Sequence, residues 1–341
     1  MTPTIELRQL FAYHGPNICG PQPGVLLRVR CNADRANRLR DALKDGAQFV
    51  GMVLAHLRIE SHPLGDAFDI GVHFTTPTPD LGRDLATYVV DGIRAEAAAN
   101  EQDEQDDNED DDEEPEWERD APLYELQKRR RQQALPLPAL QLEAEARTRN
   151  LPVLHLPDGA IQFGYGAHSW RFDPSDLPRR PALIDDDEEH QPIPVPPWEQ
   201  ISGIPLYVVT GEQQRRALVA DTAARLEQYG LPIHTLHDAD YAATLGLLSD
   251  PAVRCAVVGL DTADILRRGL AFEYCTQSII TDLGGERPAE AVSTTEWARA
   301  LGVPMLISNG PTLLNSSDPA LAELASFAPN GVVPLDAPGA T

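Results

Sequence analysis

The sequence predicts an α/β protein: a small α+β N-terminal domain, then a Rossmann-like, P-loop-type domain built on a parallel sheet. Three observations carry this expectation. Before residue 100, alternating strand patterns interleave with amphipathic helical ones. Residues 101–120 are almost wholly acidic and residues 173–200 are rich in proline and acid, which marks two boundaries. After Ile204, short apolar runs alternate with helix-compatible stretches, the rhythm of a parallel sheet with crossover helices.

In the first domain, residues 1–98, "GVLLRVR" (24–30) alternates as a strand does. "ADRANRLRDALKDG" (33–46) has helical apolar spacing and is expected to stop at Gly46. "FVGMVLAHLRIESH" (49–62) reads as a second, more buried helix, "FDIGVHFTT" (68–76) as a strand, and residues 81–99 as a third helix. Residues 99–120 form an acidic linker, expected to be disordered; positions 101–120 hold 14 acidic residues and one arginine. Such a block buries too little apolar surface to offset its ordering entropy. Residues 121–172 complete the domain with a helix, a proline-containing break, a second helix, and a hairpin over 151–172 turned at Pro157-Asp158-Gly159. A linker over 173–200 follows, with "DDDEE" and "PIPVPP".

Residues 201–341 form the second domain. Its expected strands are "IPLYVV", "LPIHTL", "RCAVVG", "SIIT", "VPMLIS" and "NGVVPL". Helices are expected over 212–228, 240–249, 290–301 and 318–326. The stretch "YVVTGEQQRRALV" (207–219) begins as a phosphate-binding loop does, with an apolar strand ending in Thr210-Gly211. Ligands in such folds bind at the carboxyl ends of strands, where Gly211 would sit.

The net charge of −25 argues against nucleic acid and anionic membranes as partners. No apolar stretch is long enough to span a membrane. The start shows no basic region followed by an apolar run, so no secretory signal is expected and a cytoplasmic location is. Cys19, Cys31, Cys255 and Cys275 are widely spaced, which reads as reduced thiols. Lysine occurs only at Lys44 and Lys128, so none is available later for phosphate chemistry.

Two blocks of the chain resemble cyanophycin synthetase, the ligase that builds an Asp-backbone, Arg-decorated polymer. In the first, "LRQLFAYHGPN" is similar to that family's opening, and "ARTRNLPVLHLPDGAIQFGYGAH" to the end of its N-terminal domain. In the second, residues 203–336 resemble the central domain of its Mur-ligase half, through "DPAVRCAVVGLDTADILRRGLAFEYC" (250–275) and "NGPTLLNSSDP" (309–319). The family's ATP-grasp domain has 28 residues of linker in its place, and its final Mur domain has no counterpart before Thr341.

The resemblance also locates degenerate sites. The family's GTNGKTT falls on Gly211 to Ala217, so the second glycine is Gln214, the lysine Arg215 and the magnesium-binding threonine Arg216. A phosphate loop needs glycines for backbone approach, a lysine and a hydroxyl. Arginine's planar fork does not replace the lysine point charge at a tight turn. Gly211, Arg215 and Arg216 are therefore the residues of a remnant nucleotide site. A Glu that resembles a magnesium ligand falls on Gly259, and a His position on Arg287. Some family members carry an HxxEH helix; here it aligns with residues 52–60, where only His56 remains beside Met52 and Ala55, and His62 faces elsewhere. One His cannot hold zinc alone, and His56 reads as a core or partly buried residue.

Three more groups carry weaker signals. "IHTLHDAD" offers His234, His237 and Asp238 as metal candidates, against the reading of a polar loop after a strand. Asp261, Asp264, Asp282 and Glu286 could hold a cation, against exposed strand-end carboxylates. Arg129-Arg130-Arg131 and Arg215-Arg216 read as solvated helix faces. The expected function is a catalytically degenerate cyanophycin synthetase-like protein that needs no cofactor. It would act as an accessory or scaffold subunit binding cyanophycin or a full-length synthetase, and would be oligomeric. Three alternatives stay open: a residual nucleotide-binding enzyme, an N-domain metallopeptidase, and a self-assembling structural protein.

Overall fold

A computed structural model describes residues 5–103, 116–177, 193–230 and 232–335. The centre of the acidic block and the "DDDEE" stretch lie outside these residues. The chain divides into two compact units. The first comprises residues 1–14 and 22–134; the second comprises residues 15–21 and 135–341.

The first unit holds strands β1 (Ile5–Tyr13), β2 (Gly24–Cys31), β3 (Ala55–Leu64) and β4 (Ala67–Thr75) and helices α1 (Ala36–Val50), α2 (Pro79–Asp103) and α3 (Glu116–Gln133). The strands form an antiparallel sheet in the order β1-β2-β4-β3. Alternate residues Val25, Leu27 and Val29 of β2 and Ile70, Val72 and Phe74 of β4 are buried in one cluster with Leu39, Leu43, Leu81 and Leu85 of the helices. Burying each such side chain contributes about 1.5–3 kcal/mol.

Two expectations change here. Residues 49–62 are not one helix: α1 runs past Gly46 to Val50 and stops where Gly51 adopts φ 72°, and the rest becomes β3. The cause is the period of two in Leu57-Arg58-Ile59-Glu60, which half-buries Leu57 and Ile59 and exposes the residues between. Residues 5–13 carry no strand expectation, and they form β1. Arg129-Arg130-Arg131 is not a uniformly solvated face either. Arg129 pairs with Asp84 at 2.7 Å, and Arg130 donates Nε–H to the Val50 carbonyl at 3.1 Å, satisfying an acceptor that the end of α1 leaves open.

The second unit begins with α4 (Leu137–Thr148) and an antiparallel sheet of β5 (Val153–His155), β6 (Ile161–Phe163) and β7 (Trp170–Phe172). The expected hairpin turn is present, with Gly159 at φ 88°. At the other end of the hairpin Phe163 packs against Trp170, Phe172 and Trp198. The larger part is a parallel sheet of β8 (Leu206–Thr210), β9 (His234–Ala239), β10 (Ala256–Leu260), β11 (Gln277–Ile280), β12 (Thr312–Leu314) and β13 (Val332–Pro334). Helices α5 (Arg215–Glu227), α6 (Tyr241–Ser249), α7 (Thr262–Arg268), α8 (Thr294–Gly302) and α9 (Pro319–Ala322) connect these strands. "VPMLIS" is not a strand: Val303–Ile307 is a 3-10 turn. Pro304 lacks the N–H a ladder needs, and β12 takes the place in the sheet. Among the described residues no helix is long and apolar enough to cross a membrane.

Candidate functional site

The parallel sheet has the order β13-β12-β11-β8-β10-β9. The chain leaves β8 toward β9, returns through β10, and then crosses to β11 on the other side. That reversal makes the carboxyl end of β8, between β10 and β11, the switch point where such sheets bind ligands. Strand β8 is central because Leu206, Val208 and Val209 are almost fully buried. It ends at Thr210, whose hydroxyl donates to the Leu301 carbonyl at 2.8 Å.

Gly211 turns the chain with φ 133°, and a Cβ there would lie 1.8 Å from the Thr281 hydroxyl oxygen. Only glycine fits this close approach. The following residues lead into α5, and the two backbone amides just before it, of Gln213 and Gln214, find their acceptor within the chain. One Asp282 carboxylate oxygen accepts from the Gln213 N–H at 3.0 Å and the other from the Gln214 N–H at 3.0 Å. The same side chain accepts from the Gly284 N–H at 3.0 Å and the Thr281 hydroxyl at 2.8 Å. Burial pushes the Asp282 carboxyl up, but these four donors outweigh it and hold the group below the usual aspartate range.

Arg215 makes its contacts elsewhere. Its guanidinium is 9 % exposed. It donates to the Gly211 carbonyl at 2.9 Å, to the Leu260 carbonyl at 2.7 Å and to Asp238 Oδ1 at 2.6 Å. It thereby ties together the ends of β8, β10 and β9. Arg216 pairs with the other Asp238 oxygen. The Arg216 hydrogen bond first, and then that of Arg215, lower the Asp238 carboxyl below its ordinary range. Gly259 makes the clamp possible: a Cβ there would lie 2.5 Å from the His237 carbonyl oxygen and 3.1 Å from Arg215 Cγ. The expectation of an Arg215-Arg216 solvated face therefore holds for Arg216 only.

The metal candidates do not converge. His234, His237 and Asp238 lie in β9 itself, not in a loop after a strand. His234 is half-buried and His237 exposed. Asp238 is engaged by the two arginines. Asp261 caps α7 by accepting from the Asp264 N–H at 3.0 Å, Asp264 accepts from the Tyr241 N–H, and Glu286 is exposed. His56 is exposed on β3 with φ 48°, so the helical spacing of an HxxEH site does not exist there. Among the described residues no group of three His, Cys, Asp or Glu side chains could hold a metal ion.

Chemically, the β8 loop is a satisfied anion nest. A phosphate would have to displace a carboxylate held by four donors, each charge-assisted bond contributing on the order of 1.5–3 kcal/mol. The sequence signal for Asp282 is Asp-Leu-Gly-Gly one residue after an apolar strand, an Asx-type pattern, where the expectation lay between a cation ligand and an exposed strand-end carboxylate.

The family described as a domain of unknown function, DUF4938, matches residues 4–335. No curated protein matches the chain.

Proposed function

The chain belongs to the DUF4938 family, and from that premise we propose that it is a non-catalytic, cytoplasmic accessory or scaffold subunit. Its partner is cyanophycin or a full-length cyanophycin synthetase, the family whose motifs it resembles. The observation that supports this reading best is the self-occupied phosphate loop. The donors that would grip a nucleotide are used by Asp282, and the residue in the lysine position is a buried structural clamp. A domain with that arrangement keeps its shape without nucleotide and presents surfaces rather than chemistry. The acidic 101–120 block supplies carboxylates that guanidinium groups pair with strongly.

The test has two arms. Immobilised full-length protein is expected to retain active cyanophycin synthetase or purified polymer, and titration with magnesium and ATP is expected to give no binding heat. Failure to retain either partner, or micromolar nucleotide binding, overturns the reading.

A further inference from the structure

A second concave site lies in the second unit, away from the β8 loop: a cleft of about 530 Å³. Small-molecule sites are commonly clefts of this size, apolar over most of their lining with a few convergent polar groups. Leu306, Ile307 and three prolines, Pro16, Pro21 and Pro329, supply the apolar lining. Polar groups come from Arg147, Glu273, Tyr274 and Asn309.

The segments that build this wall are held firmly. The Leu270 N–H donates to the Pro16 carbonyl at 2.7 Å, and the Asn309 N–H to the Cys275 carbonyl at 2.9 Å. The buried Tyr165 hydroxyl accepts from the Glu273 N–H at 2.9 Å. Glu273 Oε2 accepts from the Val153 N–H at 3.2 Å. That leaves Oε1 facing Arg147 across 4.0 Å, too far for a hydrogen bond. Among the described residues, neither the Arg147 guanidinium, the Tyr274 hydroxyl nor the Asn309 side-chain amide makes a hydrogen bond within the chain. One turn before Arg147, Glu143 is buried with His155 Nε2 at 3.4 Å, and its Oε1 has no hydrogen-bond partner.

We propose that this cleft binds a zwitterion the size of an amino acid or dipeptide, its carboxylate on Arg147 and its cationic nitrogen on Glu273 Oε1. A guanidinium presents paired donors that match a carboxylate, and the free Glu273 oxygen accepts from an ammonium or guanidinium. The two side chains form an ion pair at 4.0 Å without a hydrogen bond, near enough for one small ligand to reach both and to add the hydrogen bonds each lacks. An anion alone would leave Glu273 unpaired and facing it; a cation alone would do the same to Arg147. Leu306 and Ile307 cover the ligand's aliphatic part. The site stands apart from the accessory role proposed above, because it uses neither the acidic block nor the β8 loop.

The experiment uses the full-length chain. Ligand-observed NMR with a mixture of the twenty protein amino acids and the dipeptide Asp-Arg identifies binders, and calorimetry then measures their affinity. At least one zwitterion is expected to bind at millimolar affinity or tighter. Arg147→Ala and Glu273→Gln are each expected to weaken it by about tenfold or more, the loss of one charge-assisted contact. Decarboxylated or N-acetylated forms of the same ligand should lose binding to a similar degree. Arg147 is more than half exposed, and the glutamine retains an acceptor for the Val153 N–H, so both variants should fold; Asn309→Ala provides a third, milder probe. No binder in the mixture overturns the proposal, and so does a binder whose affinity both charge variants leave unchanged.

Discussion

Asp282 closes the β8–α5 turn with one carboxylate, which accepts from Gln213, Gln214, Gly284 and Thr281. Its folded carboxyl lies below the ordinary aspartate value because four donors, set against burial, favour the charged form. A depressed acid stabilises the fold above its unfolded pKa of about 3.9, and that contribution disappears as pH falls through the lower folded value. Asp282→Asn should therefore cost about 2 kcal/mol in urea unfolding at pH 7, with the deficit shrinking below pH 4. An equal deficit at pH 7 and pH 2.5 would show that charge plays no part. His73 titrates with the same sign from the opposite chemistry. Burial first, then Arg58 and His56, lower its imidazole to about 4. The neutral ring is stabilising above pH 6.5, and that term is lost as pH falls from 6.5 toward 4. His73→Gln should flatten the stability profile across that window by about 2 kcal/mol after allowance for partial solvent screening. At this scale the sequence told which side chains a nucleotide site lacks. It could not tell that Arg215 turns inward, because that depends on carbonyls of Gly211 and Leu260, 45 residues apart in the second case.

Elements were legible where a period repeats: strands β2, β4, β8, β10 and β11 follow their apolar runs. Helix α8 starts at Thr294 and not at the expected 290, because it opens on Ser293-Thr294-Thr295-Glu296. There the Ser293 hydroxyl accepts from the Glu296 N–H at 3.1 Å, and the Glu296 carboxylate accepts from the Val292 N–H at 2.9 Å. This reciprocal cap fixes the start of the helix. Ser293→Ala should cost about 1 kcal/mol in thermal or denaturant unfolding, and Ser293→Thr much less; equal losses would assign the effect to packing instead. Elements were missed where apolar spacing fits two structures. "MVLAHLRIE" accommodates a helix on hydrophobicity, and only the strict alternation from Leu57 to Glu60 selects β3. "VPMLIS" has a strand's composition, yet Pro304 sits in the first turn of a 3-10 helix and lacks the N–H of an interior ladder position. The short α7 was hidden within a stretch read for likeness to a family; its signal is Asp261 three residues before Asp264, an N-cap pattern.

For the whole molecule, net charge governs association more than shape does. If the proposed arginine-bearing polymer is the partner, a chain at −25 attracts it over distances that salt shortens. If the acidic 101–120 block takes part, polymer binding should weaken steeply from low salt to 0.5 M salt. Replacing its carboxylates by Asn and Gln should both lower affinity and flatten that slope. A slope unchanged by the replacement would move the contact elsewhere. The cleft was invisible in sequence because its walls come from residues 16–21, 147, 273–274, 306–309 and 329–330, and no local period joins them. Their dispersal has a further effect during synthesis. Pro16 leaves the ribosome about 250 residues ahead of Leu270, whose N–H its carbonyl accepts. At roughly 5–20 residues per second the wait is on the order of ten to fifty seconds. The nascent second unit is thus incomplete until Leu270 has emerged, and a ribosome stalled before it leaves the Pro16 segment with nothing to dock on.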